Sequence, residues 1–209
     1  MIHVFIASIN YHMSDSKYKK YFSQLPPLMK ENVTKYRVKE DRYRTLVGKI
    51  LLLRYLTKYT NATLDDVKLT EYKKPYLENQ SIDFSISHSG EYVIVAFSKN
   101  TKIGIDIEYL NKNIDLCDFN SVFLEHEIKE IHNANNKIEK FYKIWTLKEA
   151  LLKAEGKGLF ENLKDVKIAN NKIFFKNKVY NSLSLTHNHH LFSIVYKSHQ
   201  KIVIDEIII

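Results

Sequence analysis

The stretch Ile103-Gly104-Ile105-Asp106-Ile107-Glu108 constrains this chain most. Apolar residues alternate with Gly104, Asp106 and Glu108, so as a strand it buries one face and carries both carboxylates on the other. Some forty residues on comes Trp145-Thr146-Leu147-Lys148-Glu149-Ala150-Leu151-Leu152-Lys153. Read as a helix, it stacks Trp145, Glu149 and Lys153 on one stripe. Two carboxylates on a strand and a third on a helix can hold a hard divalent cation, with lysines left over for phosphate. The combination points to chemistry on a phosphate ester. Each part also has a plain alternative. Asp106 and Glu108 fit the polar face of a half-exposed strand. Glu149 with Lys148 or Lys153 fits an ordinary helical ion pair, worth about 0.3–0.5 kcal/mol. Trp145 fits core packing. Gly104 sits where a side chain would obstruct a ligand.

Apolar residues make up 44% of the 209, with only 5 Gly and 3 Pro, so the chain can bury a core as one large or two small domains. The lone Cys117 excludes an internal disulfide and suits a reducing cytoplasm. The start, Met1 to Ala7, reads as a first strand and not as a signal peptide. No apolar run reaches membrane-spanning length. The net charge of +8 calls for an anionic partner: nucleic acid, a membrane surface, a phosphorylated cofactor or an acidic protein. Lys and Asn are abundant throughout, so genome composition accounts for part of it.

The pattern predicts strands at 2–9, near 67–71, 83–87, 91–98 and 102–109, and several short ones over 163–209. Pro26-Pro27 breaks the chain before a basic segment, Lys30 to Arg44. A helix then runs to about Tyr59, with Leu46, Ile50, Leu53 and Leu56 inward. Residues 115–134 read as helical, and the helix over Phe141–Lys153 ends at Gly156-Lys157-Gly158. Residues 84–110 also align with 183–209 at a constant offset of 99: Ser85, His88, Lys102, Ile103, Ile105 and Asp106 recur as Ser184, His187, Lys201, Ile202, Ile204 and Asp205. A duplication would give two similar α+β halves around a cleft. In the second copy Glu108 becomes Ile207, and Glu149 has Gly48 as its counterpart, so a single metal site would remain.

Phe84 to Gly90 reads as a strand leading into a turn, or as a small anion pocket of hydroxyl, imidazole and backbone N–H groups around His88. Lys30, Lys35, Arg37, Lys39, Arg42 and Arg44 form a solvated face or grip phosphates. His126-Glu127-Ile128-Lys129-Glu130 lacks the second histidine of a zinc-protease motif. His187, His189 and His190 read as strand and turn more readily than as a zinc site.

Taken in order, Lys39 to Gly48, Lys74-Pro75-Tyr76, Phe84 to Gly90, Gly104 to Glu108, and Trp145 to Lys153 followed by Glu155 to Gly158 resemble the 4′-phosphopantetheinyl transferases of the Sfp (surfactin synthetase-activating) type. One departure is Lys73, where that family usually has Gly before the Lys-Pro pair. The resemblance implies an α+β fold of two similar α/β halves, residues 1–103 and 104–209, related by a pseudo-twofold internal duplication with the active site in the cleft between them. It implies Mg²⁺-dependent transfer of the phosphopantetheine arm of coenzyme A to a serine of an apo acyl or peptidyl carrier protein, such as those of nonribosomal peptide synthesis, releasing 3′,5′-ADP. It puts Asp106, Glu108 and Glu149 on the metal and Lys153 on the diphosphate. Arg44 and His88 would grip the 3′-phosphate, while Lys74, Pro75 and Ser87 line the adenosine and phosphate side. Glu149 is the first candidate for general base and Glu127 the second. The implied partners are coenzyme A and an acidic carrier protein, with no nucleic acid and no membrane. The carrier would also dock on an apolar patch within 115–128: Leu116, Phe119, Val122, Phe123 and Leu124. The protein is expected to be a cytoplasmic monomer. Three rivals stand beside this reading: a basic nucleic-acid-binding protein, which leaves the acidic trio unexplained, another metal-dependent phosphoryl enzyme, and a degenerate homologue that binds coenzyme A without catalysis.

Overall fold

Strand alternation and helical periodicity resolve into four layers, helix–sheet–sheet–helix. The computed structural model describes residues 1–9, 13–78, 81–157, 162–169 and 172–209. In chain order the elements are β1 (Ile2–Ser8), α1 (Asp15–Ser23), α2 (Pro27–Thr34), α3 (Lys39–Tyr59), β2 (Val67–Leu69), β3 (Pro75–Leu77), β4 (Ile82–Ser89), β5 (Tyr92–Lys99), β6 (Ile103–Tyr109), α4 (Glu125–Asn133), α5 (Lys137–Glu155), β7 (Lys167–Ala169), β8 (Lys172–Phe175), β9 (Lys178–His187), β10 (His190–Tyr196) and β11 (Ile202–Glu206). The fold is mixed α/β.

One sheet runs β11-β1-β5-β4 and the other β6-β10-β9-β8-β7, while β2 and β3 pair alone. Every pairing is antiparallel except β1 with β11. Alternation along β5 divides the interior. Val93, Val95 and Phe97 pack under α3 with Leu46, Ile50, Leu51 and Tyr55. Tyr92, Ile94 and Ala96 face the second sheet, meeting Ile103, Ile105, Ile107, Phe192 and Ile194. The far side of that second sheet is covered by Leu147, Ala150 and Leu151 of α5. Strands at the offset of 99 coincide: β4 with β9, β5 with β10, β6 with β11.

Several elements differ from the sequence reading: α1 and β3 were not read from it. The segment before α3 contains a further helix, α2, because Pro27 is preset for a first helical position. The 115–134 region is a 3-10 turn at Leu116–Phe119 and then α4, not one helix. Four of its apolar residues pack against α5. Phe123 is buried, and Leu116, Phe119 and Val122 pack half-buried on Phe141, Ile144 and Trp145. Phe123 is therefore core, while Leu116, Phe119, Val122 and Leu124 keep part of their surface exposed. Gly156 ends α5 in the left-handed conformation, its N–H donating to the carbonyls of Leu152 and Lys153. Gly158 lies outside the described residues.

Gly104 fixes how α5 meets β6. A Cβ there would stand 1.8 Å from the Ala150 carbonyl oxygen and 2.6 Å from the Ala154 nitrogen. The space beside Gly104 is thus filled by the helix backbone and not by a ligand, which corrects the sequence reading. Only glycine permits so close an approach.

Candidate active site

Gly104, Asp106 and Glu108 share the face of β6 that looks toward α5, while Ile103, Ile105 and Ile107 take the other. Because α5 lies against Gly104, Glu149 and Lys153 arrive beside the two strand carboxylates. Lys153 Nζ donates to Asp106 Oδ1 at 2.6 Å and to Ser87 Oγ at 2.8 Å. Ser87 donates its own proton to the same Asp106 oxygen at 2.8 Å. The helical pair read for Glu149 with Lys148 or Lys153 is not made. Lys153 turns to Asp106, and Lys148 turns into the core.

Electrostatics show that the three carboxylates crowd one another. Desolvation, then the charges of Asp106 and Glu108, raise the Glu149 pKa to about 7, against the opposing pull of Lys153. Burial and then Asp106 raise that of Glu108, partly offset by hydrogen bonding to Ser89, by Lys153 and by the Trp145 side chain. Asp106 Oδ2 and Glu149 Oε1 are buried without a hydrogen-bond partner. Buried acceptors without donors are costly, and a cation removes that cost. Among the described residues no three ligating groups stand in a finished coordination cluster; Lys153 occupies one Asp106 oxygen instead. The oxygen-only donor set, the orphaned acceptors and the mutual repulsion fit Mg²⁺.

The expected coenzyme contacts fall around this centre. A cavity of about 210 Å³ is lined by Tyr72, Lys73, Lys74, Pro75, Phe84 to Ile86, Lys153 and Gly156. A larger one, about 640 Å³, lies between α1, α3 and β11 and contains none of the predicted residues. Lys153 lines only the smaller of these two cavities. Lys74 is already engaged: its ammonium bridges Asp83 at 2.8 Å and the Ala154 carbonyl at 3.2 Å. It thereby ties the β2–β3 hairpin to the end of α5. Lys73, at the position of the family glycine, has a left-handed φ of 63°, the conformation glycine adopts most readily.

Arg44 donates to Asp41 at 2.7 Å and to the Gly90 carbonyl at 2.8 Å, bracing the β4–β5 turn. His88 is exposed by area, yet the surrounding protein still desolvates its ring. That desolvation, and then Arg44 and Lys153, lower its pKa. Of the basic run, Lys30 lies over the Phe22 ring, Lys35 over Tyr36, and Arg42 donates to the Tyr36 carbonyl.

Glu127 is only 2% exposed. Its Oε2 receives Lys148 Nζ at 2.8 Å and the Leu124 N–H at 2.9 Å. Lys148 also donates to the carbonyls of Leu163 and Val166. Sequence reasoning missed this pair, and also Glu155, which holds Lys102, Lys178 and the Tyr180 hydroxyl. Burial pushes the Glu155 pKa up, but those donors outweigh it and hold it at about 2. The polar alternation Asp83, Ser85, Ser87, Ser89 was the legible signal for the donors around β6.

Comparison with known proteins bears on the family of the chain. A family model for the 4′-phosphopantetheinyl transferase superfamily matches residues 102–201, and one for the N-terminal part of 4′-phosphopantetheinyl transferases matches 10–100. The 4′-phosphopantetheinyl transferase Sfp of Bacillus subtilis is 32% identical over 70% of this chain and 67% of its own length. The 4′-phosphopantetheinyl transferase gsp of Aneurinibacillus migulanus is 36% identical over 58% of this chain and 52% of its own. The L-aminoadipate-semialdehyde dehydrogenase-phosphopantetheinyl transferase of Xenopus laevis is 27% identical over 67% of this chain and 52% of its own. The matches thus span about half to two thirds of the relatives' lengths. A crystal structure of Thermotoga maritima holo-[acyl-carrier-protein] synthase aligns with a TM-score of 0.38 and 19% identity over 48% of this chain and 64% of its own, too slight a likeness to weigh. Extent and identity together establish that the chain belongs to the 4′-phosphopantetheinyl transferase superfamily.

Proposed function

We propose that the protein transfers the 4′-phosphopantetheine group of coenzyme A to a serine hydroxyl of an apo acyl or peptidyl carrier protein, releasing 3′,5′-ADP. The observation that carries this reading is the meeting of Asp106, Glu108, Glu149 and Lys153, with buried carboxylate oxygens left unpartnered. Asp106, Glu108 and Glu149 would hold Mg²⁺, which when bound neutralises charge on the diphosphate and on the departing 3′,5′-ADP. Lys153, released from Asp106, binds a diphosphate oxygen and steadies it through transfer. Lys74, Pro75 and Ser87 line the adenosine and phosphate side, with Arg44 and His88 on the 3′-phosphate.

Glu149 accepts the proton of the carrier serine as its oxygen bonds to the β-phosphorus and the bond to the bridging oxygen breaks. Glu127, the second candidate, is engaged with Lys148 and the Leu124 N–H, which favours a structural role for it. The matching element order at the offset of 99 supports an internal duplication, with halves 1–103 and 104–209 and the site where β4 of one meets β6 and α5 of the other. The charge of +8 suits docking of an acidic carrier. A fused pair of halves suits a monomer. No described helix is long and apolar enough to cross a membrane, and the reaction belongs with cytoplasmic carriers. Mixing the protein, coenzyme A, Mg²⁺ and apo carrier and weighing the carrier tests the reading. A phosphopantetheine gain that EDTA abolishes supports it; coenzyme A binding with no gain on any carrier type points to a degenerate homologue.

A further inference from the structure

β4 and β6 are facing edges of two different sheets, and no backbone ladder joins them. Side chains do so instead. Asp83, Ser85, Ser87 and Ser89, all on one face of β4, each reach β6. Asp83 accepts the Ile103 N–H at 2.9 Å, and Ser85 accepts that of Ile105 at 3.1 Å. Ser87 donates to Asp106. Ser89 does both: it accepts the Tyr109 N–H at 3.0 Å and donates its proton to Glu108 Oε2 at 2.8 Å.

We propose that Ser89 is a positioning residue, which fixes one oxygen of Glu108 so that the other is presented to the divalent cation. The inference rests on the functional reading above and deepens it. Because the hydroxyl oxygen already accepts from Tyr109, its single proton is aimed along one direction, onto Glu108. Ser87 treats Asp106 alike, bonding Oδ1 and leaving Oδ2 buried without a partner. Each strand carboxylate thus has one oxygen held from β4. A ligand fixed by a second hydrogen bond loses less freedom on binding metal, and such outer partners govern affinity. His88 lies on the opposite face of β4 with Ile86 and Phe84.

The test is Mn²⁺ binding, followed by the paramagnetic resonance signal of the free ion with coenzyme A present and no carrier. Ser89→Ala is expected to weaken Mn²⁺ binding by about tenfold, the lower end for outer-shell partners. Coenzyme A affinity in EDTA should hold at the wild-type value, and Ser89→Thr, which keeps the hydroxyl, should restore metal binding. If Ser89 acts through Glu108, Ser89→Ala adds no further loss on a Glu108→Gln background. A merely structural role would instead add to the Glu108→Gln loss. Should Ser89→Ala fail to fold, Ser89→Cys keeps the volume, weakens the donor and gives the same readout. Wild-type Mn²⁺ affinity in Ser89→Ala, or additive losses, overturns the proposal while the functional reading stands. If wild type binds Mn²⁺ no better than Glu108→Gln, the metal reading falls and takes this proposal with it.

Discussion

Gly104→Ala concentrates the geometry of the site into one methyl group. Its Cβ would lie 1.8 Å from the Ala150 carbonyl oxygen, where ordinary contact begins at 3.4 Å. The obstacle is helix backbone on two sides, so no side-chain rotation relieves it. Restoring contact moves α5 about 1.6 Å from β6, the difference between those two distances. Overpacking of this kind costs about 1–3 kcal/mol. The larger effect should be on chemistry, because Glu149 and Lys153 ride on the helix that moves. Misplacement by about 1 Å can cost on the order of 10²-fold in rate. Urea denaturation and the initial rate of carrier modification measure the two effects. Gly48→Ala is the internal control: its Cβ would meet only the Ile86 and Val93 side chains, at 3.3 and 3.6 Å. That substitution should be tolerated, since alanine is the better helix former by about 1 kcal/mol. A Gly104→Ala protein with the denaturation midpoint and rate of wild type would refute the claim that backbone contact between α5 and β6 builds the site.

Three further outcomes follow from the same structure. Lys73→Gly removes a left-handed lysine and should raise stability by about 1 kcal/mol; a lowered melting temperature would contradict this. Lys148→Met leaves the Glu127 carboxylate buried without its partner and should cost about 3–5 kcal/mol, with a midpoint shift below 1 kcal/mol (about the worth of an exposed pair) counting against it. For Glu149, the folded pKa of about 7 lies above the ordinary value of 4.5. The unfolded chain therefore releases this proton first, and the group's contribution falls as pH rises from about 4.5 through about 7. In EDTA the stability of Glu149→Gln relative to wild type should grow across that window and then level off. A difference independent of pH would show that the carboxylates do not crowd.

Much of this was legible because it repeats with a simple period. The acidic face of β6 follows from alternation, and α5 from its apolar stripe and Gly156. β3 escaped notice because it is three residues long and opens on Pro75, which signals a turn or edge as readily as a strand. The partner of Lys153 was not legible, since the choice between Glu149 on its own helix and Asp106 across the sheet depends on how closely α5 approaches Gly104. The Glu127–Lys148 pair was hidden for a related reason. Charged residues on a helix read as solvated, and only the packing of α4 and the Leu163–Val166 segment over α5 buries that ammonium.

The measurement that bears most directly on the central claim is the intact mass of an apo carrier protein after incubation with this protein, coenzyme A and Mg²⁺. The account predicts the gain of one phosphopantetheine group, lost in EDTA and in Glu149→Gln while that variant keeps its fold. A full gain with Glu149→Gln and with Asp106→Ala, or no gain together with no affinity for coenzyme A, would contradict it.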